Sequence, residues 1–394
     1  MQIHSGQTSI WFSEQDSSLT AFNDADQVLL TNTEIQSAIE LLIHRMGHID
    51  SICNNGFPLY SLGKTSQWII SPGGSWIGGF WGALWWLRSR ITASEADQRK
   101  ASDICGRLSS KLSIDSINRS FIFWYGASLG DLWFGDDQAH ELAAKSIPAL
   151  AVTYDPKIRC MPLGTAMGSG TEGNRRIAID SLAALIQLFS RSEKYQHQII
   201  SQLHAETTLA ACYHDGAFHT TAYFSRGNFQ TTDEAGIWSR GQAWGMLGLC
   251  RAAAQWGEPY LTYAHSACEY WKNSRPDPLP PDRLDNSSGL YDPSASVIAS
   301  LAMLSLADLL PDGYQWRLQA HRLITAIIRS PFFTGFYKND DYPDNKIRMD
   351  SGIFWGSCYK TNEGKEELVE TAWGNFFLMA ALCILVDIIK PNHC

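Results

Sequence analysis

The chain has no apolar run long enough to suggest a membrane span. Phe376 to Ile389 comes closest, but it is short and interrupted by Asp387, which is the pattern of a buried core helix. Its first residues, Met1-Gln-Ile-His-Ser-Gly-Gln, lack the basic segment and apolar core of an export signal, so a cytoplasmic location is expected. The 9 cysteines include no Cys-x-x-Cys pair and no metal-ligand spacing, and their number is odd. Free buried thiols in a reducing compartment, with no metal and no other cofactor, are the simplest expectation. Positive charge is scarce too: 31 Lys and Arg against 40 Asp and Glu leave a formal charge of -9, which argues against nucleic acid or an anionic membrane surface as a partner. An anionic ligand would need a local cation, such as Arg240.

No linker rich in Pro, Gly or Ser divides the 394 residues, no charge run separates halves, and no fixed-period repeat supports a solenoid. A single domain over residues 33–394, preceded by an extension at 1–32, is therefore expected. Within it, apolar residues recur at three-to-four spacing between clusters of Gly, Pro, Asn and Asp. This periodicity predicts helices near 33–48, 76–91, 96–113, 118–134, 136–149, 175–190, 193–213, 236–256, 259–274, 293–310, 312–329 and 368–390. Thr33-Glu34 and Pro293-Ser294 read as helix starts, and Gly257 and Pro311 as stops. Alternation is confined to pieces such as Phe218 to Phe224, between Asp215-Gly216 and Arg226-Gly227, which predicts a hairpin at a loop end. About twelve helices without a repeat fit an all-α ring of antiparallel pairs, an (α/α)6 barrel whose inner helices are apolar on nearly all sides. Loops at one end of such a ring can converge on a central pocket, and Arg119, Asp180, His219 and Gln230 all fall near predicted helix ends or loops.

The densest chemistry lies in Trp238-Ser-Arg-Gly-Gln-Ala-Trp244. Arg240 and Trp244 are four residues apart and share a helical face, with Gln242 turned away. A guanidinium beside an indole can clamp a carboxylate while the ring stacks on a sugar, but the same pattern serves a core Trp face with a salt-bridged Arg. The 15 tryptophans allow stacking platforms for sugars, and a large helical core could absorb most of them. Asp180 stands in an otherwise apolar run from Ile177 to Leu188, where burial would raise its pKa and suit it to proton transfer near neutrality; a helix cap or a partner for Arg175 or Arg176 is the other reading. His204, Glu206, His214 and Asp215 lack the spacing of a metal site. Serines at 287, 288, 294 and 296 lack a Gly-x-Ser-x-Gly elbow.

Several blocks together resemble the unsaturated glucuronyl hydrolases, glycoside hydrolase family 88. The Trp238 to Trp244 segment is similar to the family's Trp-x-Arg-Gly-Gln-Ala-Trp. Trp76-Ile-Gly-Gly-Phe-Trp81 looks like its Trp-x-x-Gly-Phe-Trp, and Arg176-Ile-Ala-Ile-Asp180 like the segment carrying its catalytic aspartate. Asp215-Gly-Ala-Phe-His219 looks like its Asp-Gly-(Ser/Thr)-x-His turn, and Asn362-Glu-Gly through Trp373-Gly-Asn-Phe-Phe-Leu like its C-terminal block. The likeness runs in order from about Thr33 to Ile389. It implies an (α/α)6 barrel and an enzyme that hydrates the 4,5-double bond of an unsaturated uronic acid left by a polysaccharide lyase. In that reaction one aspartate, here Asp180, protonates C4 and assists addition of water at C5; the hemiketal then opens and releases the neighbouring sugar. The resemblance further implies ligand contacts at Trp76, His219, Gln230, Arg240 and Trp244, with an acidic oligosaccharide as substrate.

One departure bears on this directly. Where the family has His-Asp-x-Gly-Phe, this chain reads Arg119-Ser120-Phe121-Ile122-Phe123, so the second active-site carboxylate is replaced by Ser120. Arg119 is expected to add a cation to the sugar site, suited to a sulfated or otherwise more anionic ligand. The family's substrate-binding serine region reads Val369-Glu370-Thr371, and Cys160-Met-Pro-Leu-Gly lacks the tryptophan expected before Asp180. Two rival functions follow. One is another glycosidase on the same fold, such as an unsaturated rhamnogalacturonyl hydrolase or an inverting enzyme using Asp233, Glu234 or Asp292 as a second carboxylate. The other is a sugar-binding homologue without turnover. Oligomeric state is not legible in the sequence.

Overall fold

The computed structural model describes residues 28–63, 65, 67–336, 350–361 and 364–394. Among these, helix forms in every stretch where periodicity predicts it: α1 Asn32–Cys53, α2 Gly78–Thr92, α3 Glu95–Arg107, α4 Arg119–Phe123, α5 Leu129–Phe134, α6 Asp137–Ala151, α7 Leu182–Ser190, α8 Tyr195–Cys212, α9 Ser239–Trp256, α10 Tyr260–Ser274, α11 Pro293–Leu309, α12 Tyr314–Ile328 and α13 Ala372–Leu385. A π-helical segment, Trp124–Ser128, joins α4 and α5 into one bulged helix. Local chemistry sets several boundaries. Thr31 and Glu34 form a reciprocal capping box at α1, Asp136 caps α6, Thr371 caps α13, and Pro293 occupies the first turn of α11, where its missing N–H costs nothing.

Two classes of helix result. α2, α4 with α5, α7, α9, α11 and α13 are buried along most of their length, and each packs on the next in that order, with α13 closing back onto α2. The others, α1, α3, α6, α8, α10 and α12, each precede an inner helix in the chain and cover the ring from outside. This is the expected barrel of helix pairs. All inner helices run the same way, so their N-termini share one end.

Close approach within the ring depends on small residues. A Cβ built on Gly79 of α2 would lie 2.5 Å from the Ile122 Cα and 2.8 Å from the Phe121 and Ile122 carbonyl oxygens, so only glycine lets α2 and α4 pack backbone to backbone. A buried ion pair ties α1 to the start of α13: the Arg45 Nη2 lies 2.6 Å from a Glu370 carboxylate that also accepts from Asn375.

The strands are short and sit at the loop end: β1 Phe57–Ser61 with β2 Trp68–Ser71; β3 Arg176–Ala178, β6 Thr221–Ser225 and β7 Asn228–Thr231 in one sheet; β4 Tyr213–His214 with β5 Ala217–Phe218; and β8 Ser357–Lys360 with β9 Glu366–Val369. The predicted hairpin turns at Arg226-Gly227, with β6 antiparallel to β7. The largest departure from the periodicity concerns residues 175–190. Arg176–Ala178 pairs with β6 rather than continuing α7, because the strand supplies backbone partners that an isolated first helical turn would lack. Among the described residues no helix is long and apolar enough to cross a membrane. All 9 cysteines are free and buried.

The Gly79 contact makes a direct test of the packing. Gly79→Ala is expected to lower stability by about 1–3 kcal/mol, read as a fall in denaturant midpoint with an unchanged slope, because backbone atoms have no room to yield.

Candidate active site

At the end where the inner helices begin, a cleft of about 390 Å³ opens between Asp180 and Thr220, which flank the β3–β6–β7 sheet, and the β8–β9 hairpin. Its walls include Trp76, Phe121, Trp238, Trp244, Tyr359 and Trp373, and its charged groups are Asp180, Asp282, Glu366, Arg240, Arg283 and Lys360. Apolar plates with a few converging polar groups, in a volume of this size, are what binding of a small oligosaccharide requires.

Asp180 reaches the cleft through strand geometry. Ile179 N–H donates to the Thr220 carbonyl at 3.2 Å, which extends the β3–β6 pairing by one residue and leaves Asp180 in the turn just before α7. Its Oδ1 is buried and has no hydrogen-bond partner. Burial pushes the carboxyl up to about 6, against the opposing pull of Arg240 and of its own backbone N–H. A protonated carboxyl aimed into a cleft is a proton donor at mildly acidic pH, and its conjugate base can accept one.

Arg240 lies in the first turn of α9 and is clamped. Its Nη1 donates to the Asp292 carboxylate and, at 2.7 Å, to the Cys358 carbonyl. The guanidinium carbon lies 4.9 Å from the Trp238 ring centroid and 5.2 Å from that of Trp373. The indoles flanking the cation are therefore these two and not Trp244, which is wedged in the floor 5.4 Å from Phe121 and 5.3 Å from Phe377. Trp238 is itself fixed by its indole N–H, which donates to Asp282 at 3.0 Å. Gln242 faces away from Arg240, as the helical spacing predicts, and locks α9 to the β4–β5 turn: its amide donates to the Gly216 carbonyl at 2.7 Å and accepts from Phe218 N–H at 2.9 Å. On the opposite wall the Trp76 ring packs 5.7 Å from Phe121, and its indole N–H is directed to the Tyr359 hydroxyl.

The structure thus brings Trp76, Asp180, Arg240 and Trp244 together. Other expected residues lie elsewhere. Arg119 does not add a cation to the cleft. It turns outward, donating to the Leu112 carbonyl and, at 3.0 Å, to that of Ser116, beside a separate shallow groove that includes Asp115 and Val152. The Leu112 carbonyl that it reaches belongs to the residue capping the end of a short 3-10 turn, Leu108–Lys111, and the Ser116 carbonyl also accepts from the Arg119 backbone N–H at 3.3 Å. Ser120 is fully buried with an unpartnered hydroxyl and does not line the cleft. His219 sits one residue from the cleft-lining Thr220, its Nδ1 held 2.8 Å from the Asp233 carbonyl. Gln230 is exposed on β7, opposite Tyr223. Asp233, Glu234 and Asp292 do not line the cleft: Asp233 accepts from Thr220 N–H at 2.7 Å, Glu234 is exposed, and Asp292 is fully buried behind Arg240. His204 is a core histidine whose Nδ1 accepts from Met161 N–H at 3.2 Å, and burial pushes it down to about 4. Among the described residues no group of His, Cys, Asp and Glu is arranged to hold a metal. Asn362 and Glu363 of the C-terminal block lie outside the described residues.

Asp282, Arg283, Tyr359 and Lys360 carried no sequence signal, because they come from a loop and a strand without periodicity, and Glu366 was visible only as part of the C-terminal block. The Trp238 at the head of the motif and Trp373 in the C-terminal block were visible as residues, but not as the pair that encloses Arg240.

No protein-family profile matches the chain. Whole-length matches nevertheless agree with the motifs. The chain is 22% identical over 382 residues to an unsaturated chondroitin disaccharide hydrolase of Streptococcus pyogenes serotype M1, covering 90% of this chain and 91% of that one. It superposes on the unsaturated glucuronyl hydrolase of Bacillus sp. GL1 with a TM-score of 0.75 at 20% identity, covering 89% of this chain and 96% of the other. A Streptococcus agalactiae unsaturated glucuronyl hydrolase variant complexed with dGlcA-GalNAc6S superposes with a TM-score of 0.70 at 17% identity, covering 93% and 95%. Over about nine-tenths of its length the chain is thus similar to unsaturated chondroitin disaccharide and glucuronyl hydrolases. It shares their toroidal fold from α1 to α13.

The raised Asp180 carboxyl has a consequence for stability. Its proton is held more tightly in the folded chain than in the unfolded one, so folding stability should fall as pH rises from about 4 through 6. Asp180→Asn removes that titration. The variant is expected to match the natural protein near pH 4 and to exceed it in denaturant midpoint at pH 8; equal midpoints at both pH values would show that Asp180 is not perturbed.

Proposed function

We propose that this chain is a hydrolase of lyase-generated 4,5-unsaturated uronyl oligosaccharides, with Asp180 as general acid and base. One observation carries the reading: a half-buried carboxyl whose Oδ1 has no hydrogen-bond partner, raised to about 6, faces a cleft walled by indoles and served by a clamped arginine. The likeness in sequence and fold to the unsaturated glucuronyl hydrolases supports the same chemistry.

In the proposed reaction the Asp180 proton passes to C4 of the sugar's C4=C5 double bond, and positive charge develops at C5, stabilised by the ring oxygen. Water adds at C5 and gives its proton to the Asp180 carboxylate, which restores the acid. The product is a hemiketal; it opens, and the neighbouring sugar leaves. No atom beyond those of substrate and water is consumed. The sugar ring would stack on the indole wall. Among the described residues, Arg240 makes its side-chain hydrogen bonds through Nη1 alone, leaving Nε and Nη2 for the uronate carboxylate. We propose Trp76, Arg240 and Trp244 as ligand contacts. Neither Arg119 nor Gln230 supports that role, since both lie outside the cleft. The nine buried free thiols support a reducing, cytoplasmic setting.

The test is incubation with unsaturated uronyl disaccharides while the ultraviolet absorbance of the double bond is followed. Absorbance should be lost as sugar is released. Asp180→Asn should fold and lose roughly a hundredfold or more in kcat. Because the acid must begin protonated, kcat/KM should fall as pH rises through about 6. Sugar release with the absorbance retained would replace hydration by ordinary glycosidic cleavage, and binding without turnover would leave a sugar-binding protein.

A further inference from the structure

The cleft does not reach Asp292, yet this carboxylate is the one most closely tied to Arg240. It stands just before Pro293 at the start of α11, has no exposed surface, and receives three donors: the Arg240 guanidinium and the Ser294 hydroxyl at short range, and Cys358 N–H at 3.4 Å. The arrangement runs from Asp292 through Arg240 to the cleft, where the guanidinium acts on two carboxyls, Asp282 and Asp180. We propose that Asp292 is a positioning residue for the reaction: it fixes Arg240 beside the cleft and offsets its charge, so that the proton on Asp180 is governed by three groups rather than two.

The physical argument is one of competition. A guanidinium with no counter-ion would favour the ionised form of Asp180 and weaken it as an acid. Asp292 absorbs much of that field in a fixed geometry, since Cys358 and the Trp238 and Trp373 rings leave the guanidinium no second position. Burial raises the Asp292 carboxyl and its three donors oppose that rise, so Asp292 and Arg240 act as a coupled unit rather than as independent charges. The other groups in range are few. Asp282, on the loop before α11, raises Asp292 and Arg240 alike; the Cys212 thiol of α8 is pushed up to about 12 by burial and by the Asp233 and Asp180 carboxylates, and so stays neutral. Arg283, Lys360 and Glu366 line the outer part of the same cleft. None of these contacts Asp292 by a hydrogen bond, and all are unchanged by its substitution.

This inference rests on the proposed role of Asp180, so the experiment has one arm that needs no substrate. Carbon-13 carboxyl NMR of Asp-labelled protein, with the Asp180 resonance identified by its loss in Asp180→Asn, reads the Asp180 midpoint directly. The kcat/KM pH profile on unsaturated disaccharides reads it through turnover. Asp292→Asn should move the midpoint and the alkaline limb of the profile down by roughly half to one pH unit, because uncompensated Arg240 charge stabilises the Asp180 carboxylate. Asp292→Glu, which restores the charge, should bring both back toward the natural values. A purely structural role would lower stability or kcat and leave the midpoint in place. Should Asp292→Asn fail to fold, Ser294→Ala removes one donor to Asp292 and should move the midpoint in the same direction by less. An unmoved Asp180 midpoint in a folded Asp292→Asn or, failing that, in Ser294→Ala overturns the proposal. Absence of turnover by the natural protein would overturn the functional reading alone, since the NMR arm still decides the coupling.

Discussion

A single guanidinium holds the working end of this barrel together. Arg240 belongs to α9, its anionic partner Asp292 precedes α11, its carbonyl partner Cys358 lies on β8, and the rings that enclose it come from Trp238 before α9 and Trp373 in α13. Three of the inner helices and one hairpin are thus referenced to one planar cation. Arginine suits this role better than lysine, because a planar fork can serve two acceptors while its faces remain free to stack. The clamp also explains why a motif of seven residues can say so much: Trp238, Arg240, Gln242 and Trp244 each point to a different element, and α9 serves as the post to which they are fixed.

The direction of the inner helices explains where the chemistry lies. Each outer helix returns the chain, so every inner helix starts at the same end, and the residues just before or within their first turns converge there: Trp76 before α2, Asp180 before α7, Arg240 in α9, Asp292 before α11 and Trp373 in α13. Loop residues are placed by rigid helices beneath them, which gives precision without making the loops themselves rigid. The apolar rings below the cleft then do more than fill volume. They shield the Asp180 carboxyl from much of its hydration, and that desolvation raises its proton affinity.

How far the sequence revealed this depends on how local each feature is. Helix existence was legible throughout, because burial on one or all faces writes a period into the chain. Asp180 was legible as a carboxyl in an apolar run but misplaced within a helix; the β3–β6 pairing that puts it in a turn depends on a segment more than forty residues away. Arg119 was read as a ligand-facing cation on its position alone, and carbonyls at residues 112 and 116 claimed it instead. The β8–β9 hairpin, which supplies Tyr359, Lys360 and Glu366, has no period, and the C-terminal block that covers β9 did not reveal its pairing with β8. Asp292 was read in the sequence as a candidate second carboxylate before a helix-starting proline, and its connection to Arg240 exists only in three dimensions.

The exchange of the expected second carboxylate for Ser120 takes on a definite physical meaning in this setting. Two carboxyls facing one cleft would raise each other's proton affinity by repulsion. Here Ser120 carries no charge and is buried away from the cleft, so repulsion from that position cannot help keep Asp180 protonated. What remains is burial, with a neighbouring cation working against it. An acid of this kind survives only if that cation is largely spent elsewhere, and the Asp292 carboxylate is where the Arg240 charge is spent. The loss at one position and the clamp at another are therefore parts of the same electrostatic balance, struck over three helices without any metal-like cluster of ligands among the described residues.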